Sequence, residues 1–251
     1  IREAKAPVFV FFEEHCRAHA GWARALIEAH RAPSDPTQKP LAGVGAEVHN
    51  GNGRVGTSRH LELANYHPWL PPAPRGEHGM LPGHNSSFRR EIVMRYDAVL
   101  EDLLRAEIVL HQVLARDGYR LLAEPTARFE HLNETTLASS SRGRFLWNRL
   151  YAPARARFFG WPRARRIFYV FALPLIPIYS LVRLGLFFSI KRRDYLGRFV
   201  QAIPLLAIVQ TASAAGFALG LLRGEGDAEA KFTWFEMNEP HEPNPEPASE
   251  S

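Results

Sequence analysis

The chain has 251 residues, 46% of them hydrophobic and 23% charged, with 31 Lys and Arg against 26 Asp and Glu for a formal net charge of +5. That length is ample for a core-bearing domain, which excludes a peptide, a wholly disordered chain and a small disulfide scaffold. Its single cysteine, Cys16, can form no internal disulfide and leaves no CxxC pair, so a reducing compartment is the simpler reading.

Ile1 is not an initiator methionine and no signal-peptide pattern follows it, so the chain reads as the C-terminal part of something longer. Residues 6 to 12, APVFVFF, form a short, uniformly apolar run that predicts a central strand of a covered sheet. Glu13, Glu14 and His15 make a polar tip, and a moderately amphipathic helix follows from Gly21 to before Pro33. A polar loop leads into LAGVGAEVHN, a second strand, and then into the turn chemistry of NGNGRVG. A short helix is expected within residues 60 to 70, then a proline-rich loop through Gly76. Helical periodicity runs from Arg89 to Arg116 with a break near Tyr96, and Gly118 is placed to end it. A strand from Tyr119 to Phe129 completes an alternating α/β pattern.

Beyond residue 141 the character changes. Residues 142 to 166 interleave eight arginines with Phe145, Trp147, Tyr151, Phe158, Phe159 and Trp161. Basic and aromatic residues together suit lipid headgroups as well as nucleic acid, and the apolar runs that follow decide for membrane lipid, with no nucleic-acid partner. The mean hydropathy of −0.22 conceals those two runs. Phe199 to Leu222 is free of charge and long enough to span a bilayer despite Pro204. Ile167 to Ile190 is interrupted by Pro174, Pro177 and Arg183, which leaves a kinked, re-entrant or interfacial helix as the alternative to a span. Basic residues flank this run on both sides, so charge does not fix the topology. Residues 224 to 251 are acidic and carry Pro240, Pro243, Pro245 and Pro247, which predicts a disordered tail. The expected divisions are therefore 1–141, 142–166, 167–223 and 224–251.

Three segments in the first division carry chemistry. Glu13 and His15 follow the first strand, where open α/β sheets place ligands, and a carboxylate beside an imidazole can hold a divalent cation. LPGHNSSFRRE, residues 81 to 91, has a tight turn at Pro82 and Gly83, then His84 and Asn85, then a helix start with Ser86 or Ser87 as cap. Glu107 stands within an otherwise apolar helix as a potential general base, and His131 is a lone histidine after a strand.

In this order the segments resemble the family 2 glycosyltransferases, inverting enzymes that use nucleotide sugars. The resemblance covers roughly residues 3 to 160. VFVFFEEHC followed by GW is similar to the family strand that ends in Asp-x-Asp, with Glu13 and His15 in the places of the acids. LPGHNSSFRRE is similar to the Gly-x-Asn segment before an arginine-rich helix. AEIVLHQVLARDGYRL is similar to the Glu-Asp segment that runs to a Gly-Tyr turn, with Ala106 and Glu107 at the acidic pair.

The resemblance implies a partial Rossmann-like glycosyltransferase A-type domain followed by C-terminal membrane helices, and a transferase at the cytoplasmic face of a membrane. Glu107 would be the catalytic base, and Glu13 with His15 would hold Mg²⁺ or Mn²⁺ and the donor diphosphate. Gly83, His84, Asn85, Arg89, Arg90 and His131 would bind donor sugar or acceptor. The partners implied are a nucleotide sugar, a glycan or lipid-linked acceptor, and membrane lipid. The Gln-x-x-Arg-Trp signature of processive synthases is missing, which implies transfer of single sugars. The family's earlier nucleotide-binding strand has no counterpart, which leaves a non-catalytic membrane-anchored binding module as the alternative. A metal-dependent hydrolase using His15, His84 and His131 is the second rival.

Overall fold

The computed structural model describes residues 1–33, 37–83 and 85–239, which divide into two units. The first comprises Ile1–His49 and Tyr66–His131, the second Asn50–Asn65 and the chain from Leu132. Their elements, in chain order, are β1 (Val8–Val10), β2 (Cys16–Ala18), α1 (Trp22–Arg31), β3 (Leu41–Asn50), α2 (Ser58–Asn65), β4 (Gly76–His78), β5 (Ser87–Arg89), α3 (Arg90–Val93), α4 (Leu100–Leu104), α5 (Glu107–Arg116), β6 (Arg120–His131), α6 (Leu137–Phe158), α7 (Arg163–Phe171), α8 (Leu175–Lys191), α9 (Leu196–Arg223) and α10 (Ala228–Asn238). The protein is thus mixed α/β and mostly helical.

One sheet organises the first unit, in the order β1-β5-β3-β6-β2 with β4 paired to β6. The pairs β1·β5, β5·β3, β2·β6 and β4·β6 are antiparallel. β3 is its centre: all eight residues from Leu41 to Val48 are buried, apolar or small except Glu47, whose carboxylate accepts a hydrogen bond from the Ala73 amide at 2.7 Å. Gly43 and Gly45 decide what lies against it. A Cβ at Gly43 would come within 2.8 Å of the Phe88 ring, and one at Gly45 within 2.8 Å of Pro82. Both glycines therefore let the 81–88 segment close onto β3.

The apolar run of residues 6 to 12 does not form the expected central strand. β1 is three residues long and lies at the end of the strand order, with Val10 and Phe12 exposed. Only its β5 side is paired among the described residues, so composition reported its apolar character but not its coverage. The expected helix start near Ser86 is also corrected. Ser87–Arg89 is a strand that pairs on both sides, because Gly43 makes room for Phe88, and the helix opens only at Arg90. The break near Tyr96 is present, with Tyr96 at φ −102° and ψ 15°. Gly118, at φ +88°, follows α5 as expected.

The second unit is helical. Thr136 caps α6 by accepting a hydrogen bond from the Ser139 amide at 3.1 Å. α6 packs along α9 at backbone range: a Cβ at Gly216 would collide with the Phe145 carbonyl, and one at Gly220 would come 2.7 Å from the Arg149 carbonyl. The start of α9 is tied to α2 by Arg198 and Glu62, 2.5 Å apart, with Glu62 buried. Arg193–Arg223 is long and apolar enough to cross a membrane, while α7 and α8 form a pair bent by 79°. The tail expected to be disordered from residue 224 instead forms α10, because Phe235 buries against Leu146 and Leu150. Residues 240–251, the remainder of that expectation, lie outside the described residues, as does His84.

Candidate functional site

The polar tip after β1 is a tight turn. The Cys16 amide donates to the Glu13 carbonyl at 3.1 Å, and β2 begins at once. This short strand was not expected from the sequence, and it builds the site. Its register against β6 sets Cys16 opposite His131, which brings the EEH turn onto the end of the long strand.

The Nε2 atoms of His15 and His131 stand 3.1 Å apart. Glu13 Oε2 lies 3.3 Å from the first and 3.8 Å from the second. The Cys16 thiol donates to the same carboxylate oxygen at 3.9 Å, and the Tyr66 hydroxyl lies 3.2 Å from His131 Nε2. Glu13, His15, Cys16 and His131 each offer a ligand atom within 4.8 Å of the others. Both histidines and Cys16 are buried, while Glu13 is a third exposed and gives the cluster its access to solvent. Burial, and then the charge of Glu13, push the Cys16 thiol well above its ordinary pKa, so it is a neutral group in this setting.

The spacing fits a single divalent cation. Two adjacent donors each bound at roughly 2.0–2.1 Å to one tetrahedral or octahedral ion stand roughly 2.8–3.4 Å apart, a range that includes the imidazole pair. Two imidazoles and one carboxylate favour Mn²⁺, Fe²⁺ or Zn²⁺ over Mg²⁺, which prefers an all-oxygen shell.

Asn85 is held beside this cluster. The Asn85 amide donates to the Phe11 carbonyl at 2.8 Å and the Phe11 amide donates to the Ser86 carbonyl at 3.2 Å, which clasps Asn85 to the strand end two residues before Glu13. Asn85 is fully buried at φ +57°, the left-handed region that asparagine tolerates best after glycine. Its carboxamide lies against Cys16, yet among the described residues neither Oδ1 nor Nδ2 makes a hydrogen bond of ordinary geometry. A buried carboxamide without such bonds is costly unless a ligand completes it.

Gly83 meets Glu107, the first residue of α5. A Cβ placed on Gly83 would lie 3.0 Å from Glu107 Oε2, so the carboxylate rests on the glycine backbone. Ala106 is buried and supplies no second acid.

Of the residues singled out from sequence, Glu13, His15 and His131 therefore come together with Asn85 beside them, and Gly83 comes together with Glu107. Arg89 and Arg90 face elsewhere. Arg89 Nη2 donates to the His30 carbonyl at 2.7 Å, and Arg90 donates to the carbonyls of Ile1 at 3.3 Å and Arg2 at 2.9 Å, so both guanidiniums brace main chain. His84 lies outside the described residues. Sequence reasoning missed Cys16 and Tyr66 as members of the cluster. For Cys16 the signal was its adjacency to His15; for Tyr66, in a loop 65 residues from His131, there was none.

No protein-family profile matches this chain, and no curated protein is significantly similar to it.

Proposed function

We propose that the first unit is a glycosyltransferase A-type domain that transfers a single sugar, with inversion, from a nucleotide sugar to an envelope or lipid-linked acceptor at the membrane, on its cytoplasmic face. The observation that carries this is the meeting of Glu13, His15 and His131 beside Asn85, together with the seating of Glu107 against Gly83. One end of the cluster suits a diphosphate and the other a hydroxyl nucleophile.

Glu107 takes the proton of the acceptor hydroxyl as its oxygen bonds to the anomeric carbon. The bond from that carbon to the diphosphate oxygen breaks, and its electron pair leaves with the diphosphate. Glu13, His15 and His131 would hold the divalent cation, which when bound balances the charge of the leaving diphosphate. Asn85 would hydrogen-bond the donor between these two ends, which is supported by the lack of partners of good geometry for its carboxamide among the described residues.

The test is transfer from a panel of nucleotide sugars by the membrane-bound protein. Glu107→Gln lowers turnover by about 10²–10⁴-fold, the usual range for a general base, and full turnover in that variant overturns the assignment. A second reading, a zinc hydrolase, draws on the same pair of imidazoles 3.1 Å apart. It requires stoichiometric zinc in the isolated protein and cleavage of a substrate without any acceptor.

A further inference from the structure

Of the nineteen large apolar side chains exposed among the described residues, twelve fall between Ile167 and Ile208. On α8, Ile178, Tyr179, Val182, Leu186 and Ile190 recur at intervals of one helical turn and are 55–71% exposed, so one face of the helix is bare. α7 adds Phe168 and Phe171, and the first half of α9 adds Val200, Ile203 and Ile208. An apolar surface of this extent marks an interface.

Its margins identify the partner. Arg163, Arg165 and Arg166 open α7, and Lys191 closes α8 with Arg192 and Arg193 directly after it. An aromatic ring accompanies each cluster: the Arg165 guanidinium lies 4.4 Å from the Trp161 ring centre, and that of Arg192 4.5 Å from the Tyr195 ring centre. Cations with amphipathic aromatics around an apolar face match the headgroup layer of an anionic membrane.

Three features oppose a crossing. α9 is exposed only at positions between Gly197 and Thr211 before its last two residues, a stretch of about 22 Å against a hydrocarbon core of roughly 30 Å. Its second half is covered by α6, and α10 packs on α6 in turn, so a span would draw Arg142, Arg144, Arg149 and Lys231 toward hydrocarbon. Arg183, the central residue of α8, is exposed beside Val182 and Leu186 and has no acidic partner among the described residues. In a spanning helix it would sit at mid-bilayer; in a helix lying along the interface its guanidinium reaches the phosphates.

We infer that α7, α8 and the first half of α9 seat the protein in one leaflet of an anionic membrane, entering the hydrocarbon without crossing it. This rests on the membrane-associated reading above and narrows it.

The test places a cysteine at each end of α9 in the full chain, Gly197→Cys and Arg223→Cys. Both positions are exposed, and a Cβ at Gly197 meets nothing within 4 Å, so the fold tolerates both. The proteins are expressed in bacteria, and inverted and right-side-out inner-membrane vesicles are treated with a membrane-impermeant maleimide, the parent chain with buried Cys16 giving the background. One-leaflet seating predicts labelling of both variants in inverted vesicles and of neither in right-side-out ones. Labelling of the two ends from opposite sides overturns the seating and leaves membrane association standing. Recovery of the protein in the soluble fraction overturns both. As an independent readout, Phe168→Glu with Phe171→Glu lowers partitioning onto phosphatidylethanolamine–phosphatidylglycerol vesicles by about ten-fold or more, and unchanged partitioning overturns the assignment of this face.

Discussion

His15 and His131 are 116 residues apart in sequence, and their Nε2 atoms are 3.1 Å apart in space. Two imidazoles at that distance either share one proton or share one cation, and Glu13 beside both provides the negative charge that favours either. Cobalt(II) distinguishes the two: titration into the protein gives d–d absorption if the nitrogens ligate it. His131→Ala weakens cobalt binding by about 10–100-fold or more, since removing even an outer-shell partner has effects of that size. An unchanged cobalt isotherm in that variant would remove His131 from the site. Binding also weakens as the pH falls, because the imidazoles must be deprotonated to ligate.

Gly83 carries the second prediction. Its Cα faces Glu107 so closely that an added methyl group would stand 3.0 Å from Oε2. Gly83→Ala therefore pushes the carboxylate aside while leaving its charge in place, and the expected result is a fall in kcat with little change in KM for the nucleotide sugar. A variant with a raised KM and normal kcat would mean that Gly83 serves donor binding and that Glu107 is elsewhere in the reaction.

The sequence disclosed more of the candidate site than of the architecture. Glu13, His15, Asn85 and Glu107 stood out as polar groups at the ends of apolar segments, and local pattern is enough to see that. β3, α1, α5 and β6 were likewise legible, because each is long or strongly periodic. The edge position of β1 was not, since an apolar strand reads the same whether or not a neighbour covers it. β2 is three residues of mixed character whose only organising force is its pairing with β6, a contact across more than a hundred residues. α10 was hidden by its charge: its burial rests on a few apolar side chains, Phe235 above all, within an acidic segment.

Gly43 and Gly45 show how the core positions the site. Each is buried in β3, and a methyl group on either would come within 2.8 Å of Phe88 or Pro82. Gly43→Ala and Gly45→Ala are each expected to lower stability by about 1–3 kcal/mol, the usual range for overpacking, read as a lower denaturation midpoint with an unchanged slope. The two should differ in activity. Gly45 faces Leu81 and Pro82, immediately before Gly83, so its variant loses turnover beyond its loss of stability, whereas a uniform effect of both would place the 83–85 segment outside the site.

Two buried histidines set the acid limit. Burial, and then the neighbouring Arg89 charge, hold His30 down to about 4, and burial alone holds His111 down to about 4. His30 Nε2 is within 3.0 Å of the Ser87 hydroxyl, while neither ring nitrogen of His111 has a hydrogen-bond partner among the described residues. In the unfolded chain both take up protons near 6.5, and in the folded chain only near 4, so the unfolded state binds more protons between those values. Stability is therefore full above pH 6.5, falls as the pH drops from there, and levels off below about 4, by about 3 kcal/mol for each histidine. His111→Leu removes one of these protons, and its stacking partner Phe88, 5.6 Å away centre to centre, accepts an apolar neighbour. Denaturant midpoints at pH 7 and pH 4.5 should show the variant more stable at both and flatter between them; a parallel pH dependence would mean that His111 is not the titrating group.

Glu62 and Arg198 hold the start of α9 to α2, and both ends of this bond are withdrawn from water. Burial pushes the Glu62 carboxyl above its ordinary pKa, and the Arg198 charge pulls it part of the way back. Removing one partner leaves the other's charge unanswered in the interior. Arg198→Ala is accordingly expected to cost about 3–5 kcal/mol, whereas Arg198→Met with Glu62→Gln, which removes both charges, costs much less. Hydrogen exchange locates the effect. In the single variant the amides of the first two turns of α9 lose protection while those beside Gly216 and Gly220, packed on α6, keep theirs. Equal costs for the single and double variants would show that the bond contributes through packing and not through charge.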